Sequence, residues 1–161
     1  MYVALQVLTL MLAAVTMALS LAHALEFPGK LRLGREQYLA VQPIYYPGFT
    51  IGGMAEPAVI LATLSLFIMT PTGTAASWLV AGALAAMITV QVIFWTMTQP
   101  ANSFWLQETE LSRPATRFFQ TRQGRAPRDW MAARDQWERS HIFRAIAATL
   151  GLFLLTVAIA L

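Results

Sequence analysis

Four stretches of the chain are almost wholly apolar, and the polar residues are confined to their ends and to the segments between them. They run from Met1 to about Leu25, from about Gly48 to Thr70, from Ala75 to Thr98 and from about His141 to Leu161. Each approaches the roughly 20 apolar residues that cross a hydrocarbon core about 30 Å thick. Backbone groups in lipid must find their hydrogen bonds within the segment, which predicts helices. The last helix extends back to Asp129, because Trp130, Arg134, Trp137, His141 and Arg144 step by three or four and form one stripe. The expected helices are therefore about 1–25, 48–70, 75–98 and 129–161, with loops at 26–47 and 99–128.

Breakers fix the connections. Pro28 and Gly29 are expected to stop the first helix. Pro71-Thr72-Gly73-Thr74 reads as a tight turn between the second and third. Ala and Gly in the third and fourth helices allow close contact. The expected fold is all-α: an integral membrane four-helix antiparallel bundle, one transmembrane domain over residues 1–161. Ala22-His23-Ala24 also fits a signal-peptide cleavage site. The length of the first stretch, and the lack of a basic residue before it, favour a retained helix.

Composition agrees. Only 12% of the 161 residues are charged and 57% are hydrophobic. Soluble domains carry roughly 25% charged residues. There are no cysteines, which excludes disulfides, thiolate ligands and thiol catalysis. The net charge of +3 matters less than its placement. All eleven basic residues, from Lys30, Arg32 and Arg35 to Arg139 and Arg144, lie in or beside the two long loops. The positive-inside rule then places both long loops in the cytoplasm and both termini outside, in a multi-pass protein of the cell inner membrane. Trp95, Trp105, Trp130 and Trp137 are expected to form an interfacial belt on that side, together with Tyr38, Tyr45 and Tyr46, whose alternative reading is the lining of a pocket for an aromatic or lipid-like substrate. The basic segment Arg113–Arg139, interleaved with Phe118 and Phe119, is expected to lie on anionic headgroups, with no nucleic acid as partner.

Topology leaves several polar residues unexplained. His23 and Glu26 on the first helix, Glu56 on the second, and Glu138 and His141 on the fourth are ionisable groups in or beside hydrocarbon. Such groups face the bundle interior and mark function. His23-x-x-Glu26 and Glu138-x-x-His141 each share a helical face, because i and i+3 are neighbours. On antiparallel helices the two pairs fall at the same depth. They are therefore expected to converge in one pocket at the cytoplasmic third, with Asn102 and Arg144 in its wall. Gln91 lies about 10 Å from the cytoplasmic end of the third helix. Arg144 needs a carboxylate, and Glu26 and Glu56 are nearest by depth.

Two histidines and three glutamates resemble the donor set of a carboxylate-bridged dimetal site, in which four helices supply Glu and Glu-x-x-His ligands. The candidate metal ligands are His23, Glu26, Glu56, Glu138 and His141, for one or two ions of iron, copper or zinc. A b-type haem between His23 and His141 is the alternative. The competing reading is a structural cluster that seals the bundle end.

The succession His23-x-x-Glu26-x-Pro28-Gly29-Lys30, then Gln42-Pro43-x-Tyr45-Tyr46-Pro47, resembles a family of small four-helix membrane proteins described as anthrone-oxygenase-like. So do Pro100-x-Asn102-x-x-Trp105 and Trp137-Glu138-x-x-His141-x-x-Arg144. The match is to the bacterial branch, which has no assigned function. The resemblance implies that Asn102, Trp137, His141 and Arg144 belong to a shared core. Fungal members oxidise anthrones to anthraquinones with molecular oxygen.

The expected function is a membrane-embedded oxidoreductase or oxygenase acting on a hydrophobic, aromatic small molecule, with His23, Glu26, His141, Arg144 and Asn102 as catalytic candidates. The alternatives are a non-catalytic accessory subunit or lipid-binding scaffold of a membrane complex, and a small transporter acting as a homo-oligomer.

Overall fold

The structure, a computed structural model, describes residues 2–105 and 129–161. The described residues are helical or in turns, and four helical spans are long and apolar enough to cross a membrane. Helix α1 is Tyr2–Lys30. A short α2 (Arg35–Val41) and a 3-10 turn (Gln42–Tyr45) follow. The second span joins α3 (Gly48–Gly52) to α4 (Ala55–Met69). The third joins α5 (Ala75–Ile93), a π-helical turn (Phe94–Thr98) and α6 (Gln99–Trp105). The fourth is α7 (Trp130–Ala160).

Helix starts follow local chemistry. The Thr74 hydroxyl accepts from the Ser77 amide, and the Asp129 carboxylate accepts from the Ala132 amide. Each satisfies one of the donors that a helix start leaves unpaired. Pro57 sits in the first turn of α4, where its missing N–H costs nothing.

Two helix ends differ from the sequence reading. Helix α1 does not stop at Pro28 but continues to Lys30. Proline removes one hydrogen bond there, while the Glu26–Lys30 pair at i and i+4 holds the last turn closed at 2.7 Å. The third span does not end at Thr98. The Gln99 amide bonds the Phe94 carbonyl five residues back, and this wide turn carries the helix past Pro100 as far as Trp105. Expectations for Arg113 to Arg128, Phe118 and Phe119 lie outside the described residues.

Packing sets the layout. Helix α1 packs on α4 and α7, and α5 packs on the same two, so α1 and α5 take opposite corners. One core joins Ala13, Val59, Leu66, Val80, Ala83, Met87, Leu155 and Ala158. Small residues bring the helices close. A methyl group added at Gly151 would sit 2.6 Å from Met87 Cε, and one added at Gly52 would sit 2.7 Å from Leu19 Cδ1. A second, aromatic core joins Tyr38, Tyr45, Ala101, Trp105, Ala133 and Trp137. Tyr38, Tyr45, Trp105 and Trp137 are thus buried and do not form the expected belt. The loop over 35–52 folds onto the bundle end and gives these rings an interior to fill.

Candidate functional site

The polar cluster lies at the end of the bundle where α1 finishes and α7 begins. Helical spacing puts His23 on the same face as Thr9, Ala13, Thr16 and Ser20, all buried. The same logic aligns Trp137, His141 and Arg144 on the buried face of α7. The two histidines meet edge to face, with ring centroids 4.3 Å apart. His23 is further enclosed by Tyr45, Phe49 and Trp137, at 4.6, 4.4 and 4.8 Å.

The carboxylates divide into two groups around this pair. Glu56 is buried, ion-paired with Arg144, and accepts a 3.1 Å hydrogen bond from Gln91 Nε2. Arg144 also lies across the ring of Phe94, 5.3 Å from its centroid, and its Nη1 stands 3.3 Å from His141 Nε2. The other group surrounds Lys30. Its Nζ is 2.7 Å from Glu26 and 3.8 Å from Glu138. Tyr45 donates to Glu26 at 2.7 Å, and Tyr38 donates to Glu138 at 2.9 Å. Burial first, and the adjacent carboxylates second, push both phenols well above the usual tyrosine range. They therefore remain protonated donors at neutral pH. Burial alone does the same for Tyr46.

The two histidines differ in freedom. His141 Nδ1 lies 2.9 Å from the Trp137 carbonyl, which fixes the proton on Nδ1 and leaves Nε2 to accept from Arg144. Both of its nitrogens are engaged. His23 Nδ1 makes no hydrogen bond to a described residue and stands 3.6 Å from Glu26 Oε2. Asn102 takes part through Trp137, whose indole N–H donates to its side-chain oxygen at 2.9 Å. Below it, Thr98 donates to Ser140, which in turn bonds the Trp137 carbonyl.

All of the sequence candidates come together here: His23, Glu26, Glu56, Glu138, His141, Asn102 and Arg144. Of the two partners expected for Arg144, Glu56 is the one used. Their arrangement does not fit a metal. Among the described residues, no three His, Asp or Glu side chains are placed to share an ion. Arg144 stands at His141 Nε2 and Lys30 stands between Glu26 and Glu138, so side-chain cations fill the places that an ion would take. A haem does not fit between the histidines, since axial ligands lie on opposite faces of the macrocycle while these rings touch.

Sequence reasoning missed Lys30 and Phe49 as members of the site, and named Tyr38 as a pocket-lining residue only as the alternative to the belt. The Glu26–Lys30 spacing of four was the signal for Lys30. Phe49 carried none, because its burial depends on how the loop folds back. Beside the cluster lies a groove of about 620 Å³, lined by Glu26, Gly29, Lys30, Leu33, Val41, Ile44, Tyr45 and Phe49. Glu26 links groove and cluster: its side chain is 41% exposed, whereas that of Lys30 is only 6% exposed.

Comparison of the chain with family models, with curated proteins and with solved structures returns no match.

Proposed function

We propose that this chain is a membrane enzyme of the oxidoreductase or oxygenase type, which takes a proton from a hydrophobic, aromatic substrate at His23. The observation that carries the reading is the contrast between the two touching histidines. His141 is bonded at both nitrogens and held by Arg144, whereas His23 has no hydrogen bond at Nδ1 to a described residue. An imidazole nitrogen without a hydrogen-bond partner, beside a carboxylate, is a place where a substrate proton can be received. Glu26, 3.6 Å away and partly exposed, is placed to pass the proton outward. His141 and Arg144 are positioning residues, and Asn102 holds the Trp137 wall.

The resemblance to anthrone-oxygenase-like proteins supports the same chemistry. An anthrone has an acidic methylene; removal of its proton gives an electron-rich anion that reacts with molecular oxygen. The balance is one anthrone plus one O2 to one anthraquinone plus one water. The groove brings a substrate as far as Tyr45 and Phe49, the rings that enclose His23.

In this reading the four spans cross the inner membrane as an antiparallel bundle, with the long loops cytoplasmic and the bilayer as the immediate partner. The clustering of basic residues around the long loops supports this orientation. Reporter fusions at Gly124 and after Leu161 are expected to give opposite signals, cytoplasmic and external.

The enzymatic reading is tested by oxygen uptake of the purified protein with anthrone as probe. His23→Ala is expected to abolish uptake. His141→Ala is expected to lower it by about 10²–10⁴, the usual worth of a well-placed acid–base arrangement. Uptake that persists in His23→Ala would refute the assignment. A non-catalytic scaffold is the second reading, favoured by Arg144–Glu56 and Lys30–Glu26, each of which ties a cation to a carboxylate. It predicts no uptake from any variant, but loss of thermal stability in all of them.

A further inference from the structure

His23 is the group that the proposed chemistry needs, yet it is only 4% exposed. Four rings close it in: Tyr45, Phe49, Trp137 and His141. Trp137 and His141 stand on the long helix α7 and are tied in place. The Trp137 indole donates to Asn102, and His141 Nδ1 bonds the Trp137 carbonyl. Tyr45 and Phe49 come from the loop over 35–52, and both also line the groove. A molecule in the groove therefore meets these two rings before it meets His23.

The two loop rings are held differently. Tyr45 is buried, and its hydroxyl donates to Glu26 at 2.7 Å. Phe49 has no polar group to tether it. It stands on α3, a single helical turn in which no residue is buried. Glycine lies at both ends of that turn: Gly48 opens it, and Gly52 and Gly53 close it. The backbone does not demand glycine there. Gly53 has helical angles, φ −62° and ψ −18°, and neither Gly48 nor Gly52 has a positive φ. Packing gives no reason for Gly48 either, since a methyl group added to it would meet nothing within 4 Å. Gly52 is the anchored end, close against Leu19 of α1. Backbone freedom at both ends of one short, exposed turn is what a hinged element requires.

We propose that α3 is a gate and Phe49 its plug: turning about Gly48 and Gly52-Gly53 lifts the Phe49 ring off His23, and a flat aromatic ring of the substrate takes the vacated place. Phe49 packs on His23 with ring centroids 4.4 Å apart and planes tilted by 42°, so the place is already shaped for one such ring. Tyr45 keeps its bond to Glu26 and stays as the fixed side of the entrance. The use of the gate rests on the reading of His23 as the base; the movement itself does not.

The test is chemical access to the imidazoles, and the chain has only two histidines. The full chain in detergent is treated with diethyl pyrocarbonate, which acylates imidazole nitrogen, and the modified peptides are weighed over time. His23 is expected to react. His141, bonded at both nitrogens, is expected to stay inert and so reports any general opening of the bundle. Phe49→Ala should speed the reaction at His23 roughly tenfold, the worth of one aromatic contact expressed as an equilibrium. Gly48→Ala fits the closed structure without a clash and stiffens the hinge, so it should slow the reaction by about two- to fivefold. That slowing separates a moving gate from a fixed wall, which Phe49→Ala would breach in either case. A His23 that never reacts, a rate unmoved by Gly48→Ala, or a His141 that reacts in step with His23 would each overturn the proposal. If Phe49→Ala fails to fold, Gly48→Ala carries the test by itself. Oxygen uptake does not enter: gated modification without uptake keeps the gate and removes the enzymatic reading, and uptake with an ungated His23 does the reverse.

Discussion

The two ends of this bundle are built by different rules. At the end where α1 starts, threonine hydroxyls are satisfied within their own helix. Thr9, Thr63 and Thr70 each donate to the carbonyl four residues back, and apart from the Tyr2–Thr70 hydroxyl contact at 3.3 Å the packing between helices is that of Ala, Val, Leu and Met. At the end where α1 finishes, the bonds reach far along the chain. Trp137 to Asn102 spans 35 residues, Arg144 to Glu56 spans 88, and Glu138 to Tyr38 spans 100. The first end is specified by size and shape. The second depends on particular partners, because a buried charge or donor left alone is costly.

That contrast can be broken most directly at Glu56. Glu56→Ala leaves Arg144 buried without its carboxylate, and removing one partner of a buried pair costs about 3–5 kcal/mol. A large fall in the thermal midpoint of the detergent-purified protein is expected. The double change Glu56→Met with Arg144→Met should recover most of it, because no charge is then left unpaired. If the single change costs no more than an apolar truncation, the ion pair does not specify this end.

Trp137→Phe is a smaller probe. It keeps an aromatic ring against His23 and His141 but removes the N–H that Asn102 accepts. A loss of about 1–3 kcal/mol is expected, from the unpaired amide oxygen. Adding Asn102→Ala should then cost little more, because the two residues are coupled.

The smallest effect belongs to the other end. Thr63→Val removes a hydroxyl that bonds only the Val59 carbonyl, which keeps its helical amide partner. The expected change in stability is about 1 kcal/mol or less. A larger loss would show that the apolar end also relies on specific polar contacts.

How legible these two ends were in the sequence follows from the same difference. Hydropathy marked the four spans, and the caps at Thr74 and Asp129 carried recognisable residue types. The meeting of His23 with His141, and the burial of Glu56 against Arg144, followed from two rules: residues three apart share a face, and a charge in hydrocarbon needs a partner. Which contacts residues 35–52 would make over the bundle end was not legible. No local period announces that Tyr38 will reach Glu138 or that Phe49 will pack on His23. Lys30 was hidden by a rule correctly applied to Pro28-Gly29 but outweighed by its ion pairs. The metal reading counted donors without their neighbours, and the cations Lys30 and Arg144 occupy the positions in question.

The wide turn at Phe94–Thr98 makes chain length itself part of the site. Its hydrogen bond closes over five residues where an ordinary helical turn closes over four, so one extra residue is taken up within it. Deleting one residue from this turn would restore an ordinary helix and leave Asn102 close to its present register with Trp137. Deleting a second has no such slack: a helix rotates about 100° per residue, so everything beyond would swing by that angle and Asn102 would leave Trp137, although every residue type involved is retained. The third span can therefore lose one residue at this place and no more, a constraint that no substitution at Asn102 or Trp137 would reveal.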